Sequence, residues 1–172
     1  IDATLDLRDL RRDGIDLAIR YCAVQGAAGE PLFDETLQPV CAPALRRDRR
    51  RPLKQPADLR HHNLLQIAVP VGVQGMPNEW QSWLVAVGAA QVQPAAVLSF
   101  NAYDAAVAAA VAGQGVLLGR RPLVAALLAR GELVTPFPEG LVSARGYFVV
   151  VEPAASQRPG VRQLRDWLLA QA

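Results

Sequence analysis

The sequence predicts an α/β protein with parallel sheets, and three observations carry that prediction. Apolar runs of strand length alternate with segments of helical period along all 172 residues. Glycine or proline punctuates most of the junctions between them. Hydrophobic residues make up 51% of the chain and charged residues 20%, a globular balance that excludes wholesale disorder and suffices for a sizeable core.

The elements follow in order. Ile1 to Thr4 reads as the end of a strand, Asp6 to Arg12 as a short helix with Leu7 and Leu10 on one face, and Gly14 as its stop. Asp16 to Tyr21 is a buried strand, so the opening reads as the strand–helix–strand unit of a parallel sheet. After a loop with Gly26, Gly29 and Pro31, Glu35 to Val40 is a strand that Pro43 stops. Ala44 to Lys54 is a solvated helix or loop, Pro56 to Leu59 a turn, and Leu64 to Val69 a strand. Pro70 to Pro77 is a loop, and Asn78 caps a helix over Glu79 to Val87 that puts Trp80, Trp83 and Leu84 on one face. Ala95 to Phe100 is a strand and Asn101 to Ala112 a helix of small residues, ended by Gly113 and Gly115. Val116 to Gly119 is a strand, Pro122 to Arg130 a helix closed by Gly131, and Leu133 to Pro136 a strand or extended link. Tyr147 to Val151 is an apolar strand, and Gln157 to Ala170 a final helix with Val161, Leu164, Trp167 and Leu168 facing inward.

Several function classes are excluded or weakened at this level. No apolar run approaches the roughly 20 residues of a membrane helix, so no span is expected. A net charge of +2 is too small for a dedicated nucleic-acid surface. Seventeen arginines against the single Lys54 reflect GC-rich coding before they reflect function. Cys22 and Cys41 cannot form a disulfide scaffold and fit reduced thiols of a cytosolic protein, Cys41 as a small buried filler. The chain starts at Ile1 without methionine or a leader, which reads as a fragment.

The motifs reduce to one candidate site. Gly113-Gln114-Gly115 follows a helix where a dinucleotide loop needs a strand, and its third glycine, Gly119, falls one place late. His61 and His62 are adjacent, without cysteine or glutamate at ligand spacing; they read as a surface turn, and no metal site is expected. No nucleophile elbow or acid–base cluster is present, so no catalytic residue is assigned. The run Arg46 to Arg51, tempered by Asp48, reads as a solvated face. The helix at Asn101 starts directly after a strand, where open α/β folds bind anions with free backbone N–H groups. Asn101 and Tyr103 add polar groups there, and Thr4 occupies the equivalent place before the first helix.

Asp13 to Tyr21, Leu37 to Pro43, Ala112 to Val116, Gly131 to Phe137 and Asp166 to Leu169 follow one another in order along nearly the whole chain. Together these stretches resemble the effector-binding domain of a LysR-type transcriptional regulator, in the subgroup typified by the glycine-cleavage activator and the β-lactamase regulators. The resemblance implies two Rossmann-like subdomains joined by two crossover strands, like a type 2 periplasmic binding protein. Residues 1–37 and 147–172 would form subdomain I, without its first strand and helix, and residues 38–146 subdomain II. The crossings would fall near Glu35 to Val40 and Arg145 to Val149. By matching position, Thr4, Arg20, Tyr21, Asn101, Ala102, Tyr103 and Tyr147 would line a cleft between the subdomains, with Gln66 nearby. Cys22 stands where relatives carry glycine, and Ala102 where they often carry serine. The implied protein is a cytoplasmic bacterial regulator, not an enzyme, that needs no cofactor and senses a small anionic metabolite. It would be a homodimer or tetramer, with no membrane partner, and would touch DNA only through a winged helix-turn-helix absent from this chain. The alternative on the same architecture is a periplasmic solute-binding protein.

Overall fold

In the computed structural model, which describes residues 1–4, 6–68 and 79–171, the chain divides into two units. Unit 1 comprises Ile1–Glu35 and Ser143–Ala172, and unit 2 comprises Thr36–Val142. The chain passes from unit 1 to unit 2 within strand β2 (Glu30–Val40) and returns within strand β6 (Leu141–Val151).

Unit 2 is built on the part of β2 beyond Glu35 together with β3 (Asn63–Ile67), β4 (Ala96–Phe100) and β5 (Val116–Arg121), in the order β2-β5-β3-β4. β3 runs parallel to both β4 and β5, whereas β2 is antiparallel to β5. Successive strand residues point to opposite faces, and both faces are covered. Leu64, Val116 and Leu118 enter one core with Trp80, Trp83 and Leu84 of helix α2 (Glu79–Ala86). Leu65 and Leu117 enter the other with Ala106 and Ala110 of helix α3 (Tyr103–Val111). Strands sandwiched this way read as continuous apolar runs, which is why they are legible. Trp83 is fully buried, stacks on Phe137 at 5.6 Å between ring centroids, and donates its indole N–H to the Glu139 carbonyl at 3.2 Å. Helices α1 (Pro43–Arg47) and α4 (Ala125–Ala129) are short, and Val134 forms an isolated bridge to Cys41.

Unit 1 holds β1 (Leu17–Ala23), β6 and the first part of β2, in the order β1-β6-β2, with helix α5 (Pro159–Leu169). β1 is antiparallel to β6, in a register that sets Tyr21 opposite Tyr147.

The structure corrects five sequence expectations. Asp6 to Arg12 is not a helix. A single turn forms instead, with the Asp13 N–H on the Asp9 carbonyl and the Ile15 N–H on the Leu10 carbonyl, closed by Gly14 at φ +68°. Only Leu10 is buried there, while Leu7 is 83% exposed, so no second apolar position holds further turns to the core. Ile1 to Thr4 forms no strand, and the opening is therefore not a parallel strand–helix–strand unit. β2 begins five residues before the expected Glu35, through Pro31. In α5, Leu164 and Trp167 are 47% and 58% exposed rather than inward-facing. His62 is not on the surface: it is 2% exposed, with Nε2 3.3 Å from the Pro52 carbonyl oxygen. The expected Pro70–Pro77 loop, the Asn78 cap and the end of the strand at Val69 lie outside the described residues.

Candidate functional site

The parallel strands β3, β4 and β5 of unit 2 end at Ile67, Phe100 and Arg121, and their carboxyl edge is where an open α/β sheet presents a ligand site. Gln66 and Ser99 are register partners there, and the Gln66 amide donates to the Ser99 hydroxyl at 3.1 Å. Asn101 and Ala102 follow β4 and are exposed. Ala102 is the N-cap of α3 in an extended conformation, without a side-chain hydrogen bond to the first turn. The start of α3 therefore offers backbone N–H groups that no capping oxygen occupies.

Tyr103 ties this helix start to β5. Its hydroxyl accepts the Arg120 backbone N–H at 2.7 Å, and the Arg120 guanidinium carbon lies 5.6 Å from the centre of its ring. The same guanidinium forms an ion pair with Glu79, at the first turn of α2. Glutamine, tyrosine, an amide and a nearly buried arginine thus stand along one edge, a set suited to a small polar or anionic molecule.

Unit 1 carries a second polar cluster, on one face of β1 and β6. Tyr21 and Tyr147 sit opposite each other with ring centroids 4.9 Å apart, and Phe33 meets Tyr147 edge-on at 6.4 Å. The Tyr21 hydroxyl donates to Glu35 Oε2 at 2.7 Å, and Arg145 lies over the Tyr21 ring at 4.7 Å, donating to its carbonyl at 3.2 Å.

The expected site residues fall into distinct places. Tyr21 and Tyr147 come together in unit 1, and Gln66, Asn101, Ala102 and Tyr103 share one sheet edge in unit 2. Arg20 projects from the face of β1 opposite Tyr21, its guanidinium donating to the Arg8 carbonyl at 2.7 Å beside a groove of about 390 Å³. Thr4 is exposed and accepts the Asp6 N–H at 3.1 Å; no helix starts after it. Sequence reasoning missed Glu35 and Arg145 in unit 1 and Glu79, Ser99 and Arg120 in unit 2. Only the position of Arg120 at the end of an apolar strand offered a signal. Among the described residues, no group of three or more histidine, cysteine, aspartate or glutamate side chains is placed to hold a metal ion.

Comparison with known proteins agrees along the full length. The model of the LysR substrate binding domain matches residues 1–172. The glycine cleavage system transcriptional activator of Escherichia coli K12 is 32% identical over 168 residues, covering 95% of this chain and 52% of that protein. The regulator DsdC of the same strain is 32% identical over 165 residues, with the same coverage. The solved AmpR effector binding domain from Citrobacter freundii superposes with a TM-score of 0.73 at 26% identity, covering 96% of this chain and 78% of that one. CrgA from Neisseria meningitidis, at 17% identity and a TM-score of 0.67, shares the fold. Fold and matches together define an effector-binding domain of the type found in transcriptional regulators, with a type 2 periplasmic-binding-protein-like architecture. The chain belongs to the LysR substrate-binding-domain family. It spans about half the length of the curated relatives it matches.

Proposed function

We propose that this chain is the sensory part of a one-component transcriptional regulator, binding a small anionic metabolite and thereby controlling a winged helix-turn-helix carried elsewhere in the full-length protein. The effector-contacting groups are Tyr21 and Tyr147 of unit 1 and Gln66, Asn101, Ala102 and Tyr103 of unit 2, with Arg20 and Thr4 at the margin. Units 1 and 2 act as regulatory subdomains I and II. The single observation that carries this reading is the uncapped start of α3 beside Tyr103 and the Arg120 guanidinium, an anion-favouring arrangement at a sheet's carboxyl edge. The regulator acts as a homodimer or tetramer in the cytoplasm, and effector occupancy shifts a pre-existing conformational balance. It performs no catalysis, in keeping with the transcriptional regulators among its relatives.

The test is effector response in the intact regulator. Glycine, a zwitterion whose carboxylate supplies the anionic group, is the first compound to try, because one relative is named for the glycine cleavage system. Thr4→Val and Asn101→Ala weaken the response while leaving the free energy of unfolding within about 0.5 kcal/mol of the parent, as expected of exposed substitutions. Unchanged response in both variants removes the site assignment.

A further inference from the structure

Charge is distributed unevenly along the chain. The segment from Pro43 to His61 carries seven Lys and Arg against two acidic residues, a net +5, while the other 153 residues carry eleven and fourteen, a net −3. Five of the seven cations are arginines within the six positions from Arg46 to Arg51. Arginine-rich coding accounts for many arginines, but not for their crowding into one turn.

The structure shows where these charges stand. Arg46 and Arg47 end α1, the backbone leaves the helix at Asp48, and Arg49 to Arg51 follow on a bend; all five arginines are exposed. Two basic residues at a helix C-terminus complement its dipole and Arg51 pairs with Asp48, which leaves Arg49 and Arg50 without a structural purpose. Neither acid of the segment neutralises the group. Asp48 reaches only Arg51, at 3.3 Å, and accepts the Arg50 backbone N–H at 2.8 Å. Asp58 is buried and its Oδ2 takes the backbone N–H groups of Lys54 and Gln55, at 2.9 and 3.2 Å. Among the described residues, Arg46, Arg47, Arg49 and Arg50 have no carboxylate within 4.0 Å. Like charges held this close repel one another, and a bound polyanion relieves that repulsion.

The chemistry selects among polyanions. Guanidinium forks match phosphate oxygens. The segment Pro43 to His61 contains no Phe, Tyr or Trp on which unstacked bases would sit, which disfavours single strands. A run of six residues spans at most about 20 Å, over which a duplex presents about a dozen phosphate charges at one per roughly 1.7 Å. We propose that the Arg46–Arg51 turn of unit 2 is a sequence-independent contact for the phosphate backbone of duplex DNA. In place of the solvated face expected from the sequence, the turn would give this chain a DNA contact besides the winged helix-turn-helix, and none of these arginines belongs to the proposed effector-contacting set.

The test uses this chain and a short fluorescent duplex of arbitrary sequence, read by anisotropy. With three to four phosphates neutralised, affinity falls by roughly 40- to 150-fold between about 50 and 200 mM salt. The triple substitution Arg46→Glu, Arg49→Glu, Arg50→Glu abolishes binding, Arg49→Gln with Arg50→Gln weakens it several-fold, and Arg162→Glu in unit 1 leaves it unchanged. Circular dichroism melts establish that each variant is folded; if the charge reversal does not fold, the glutamine pair decides. Absence of salt-dependent binding by the parent chain overturns the proposal. So does parent-like binding by the substituted turn, or equal affinity for anionic lipid vesicles and duplex.

Discussion

The Tyr21 hydroxyl reaches across the intervening strand β6 to donate to Glu35 on β2, at 2.7 Å. Glu35 is 1% exposed and is the last residue of unit 1 before the chain passes into unit 2. A hydrogen bond to a buried carboxylate is worth more than a neutral one, so Tyr21→Phe costs about 1.5–3 kcal/mol. Urea denaturation measures this, and a loss below about 0.5 kcal/mol rules the bond out as a structural tie. Tyr21 is thus both a proposed effector contact and the partner of the crossing strand, so on that proposal effector occupancy there would have a direct route to the strand that joins the units.

Arg120 and Glu79 set the geometry at the other cluster. Their side chains are 11% and 28% exposed, so the pair lies between the solvent-screened and the buried regimes. A double-mutant cycle with Arg120→Gln and Glu79→Gln is expected to give a coupling of about 1–2 kcal/mol. A coupling indistinguishable from zero shows that the ion pair does not hold α2 to β5.

Acid sensitivity should centre on Asp58. Burial pushes its carboxyl up, but the N–H groups of Lys54 and Gln55 and the Arg60 charge pull it down further, and the carboxyl lies below its ordinary value. A lowered folded-state value means that the stabilisation is fully present above the ordinary carboxylate range and is lost as pH falls through the lowered value. Asp58→Ala therefore costs about 1–2 kcal/mol at neutral pH, the size of a lost capping interaction, and the gap to the parent closes on acidification. Equal gaps at neutral and acidic pH contradict this assignment.

The two thiols should differ in reactivity. Cys41 is fully buried, and burial, partly offset by Arg46, pushes its thiol up to about 11. Cys22 is only half-buried. Thiolate is the reacting form, so at pH 8 a disulfide reagent titrates Cys22 in the native protein and both thiols after denaturation. Rapid modification of two thiols in the native state disproves the burial of Cys41.

The sequence by itself determined the buried strands and helices of unit 2. β3, β5, α2 and α3 are covered on both sides or carry wide apolar faces, and such elements print their period directly on the chain. It also determined the family, through short stretches whose order holds from Asp13 to Leu169. The outer pieces were decided by tertiary structure. Asp6 to Arg12 has a helical pattern, yet a single buried leucine cannot hold more than one turn. Leu164 and Trp167 have helical spacing, yet periodicity alone does not tell which side of a helix meets a core. Arg20 and Tyr21 look like one motif, but strand geometry sends them to opposite faces, and only Tyr21 joins the aromatic cluster. Glu35 and Arg120 gained their roles from partners 14 and 41 residues away. No local signal specifies such pairings, because a side chain's partner is fixed by which strands become neighbours, and that choice belongs to the folded chain as a whole.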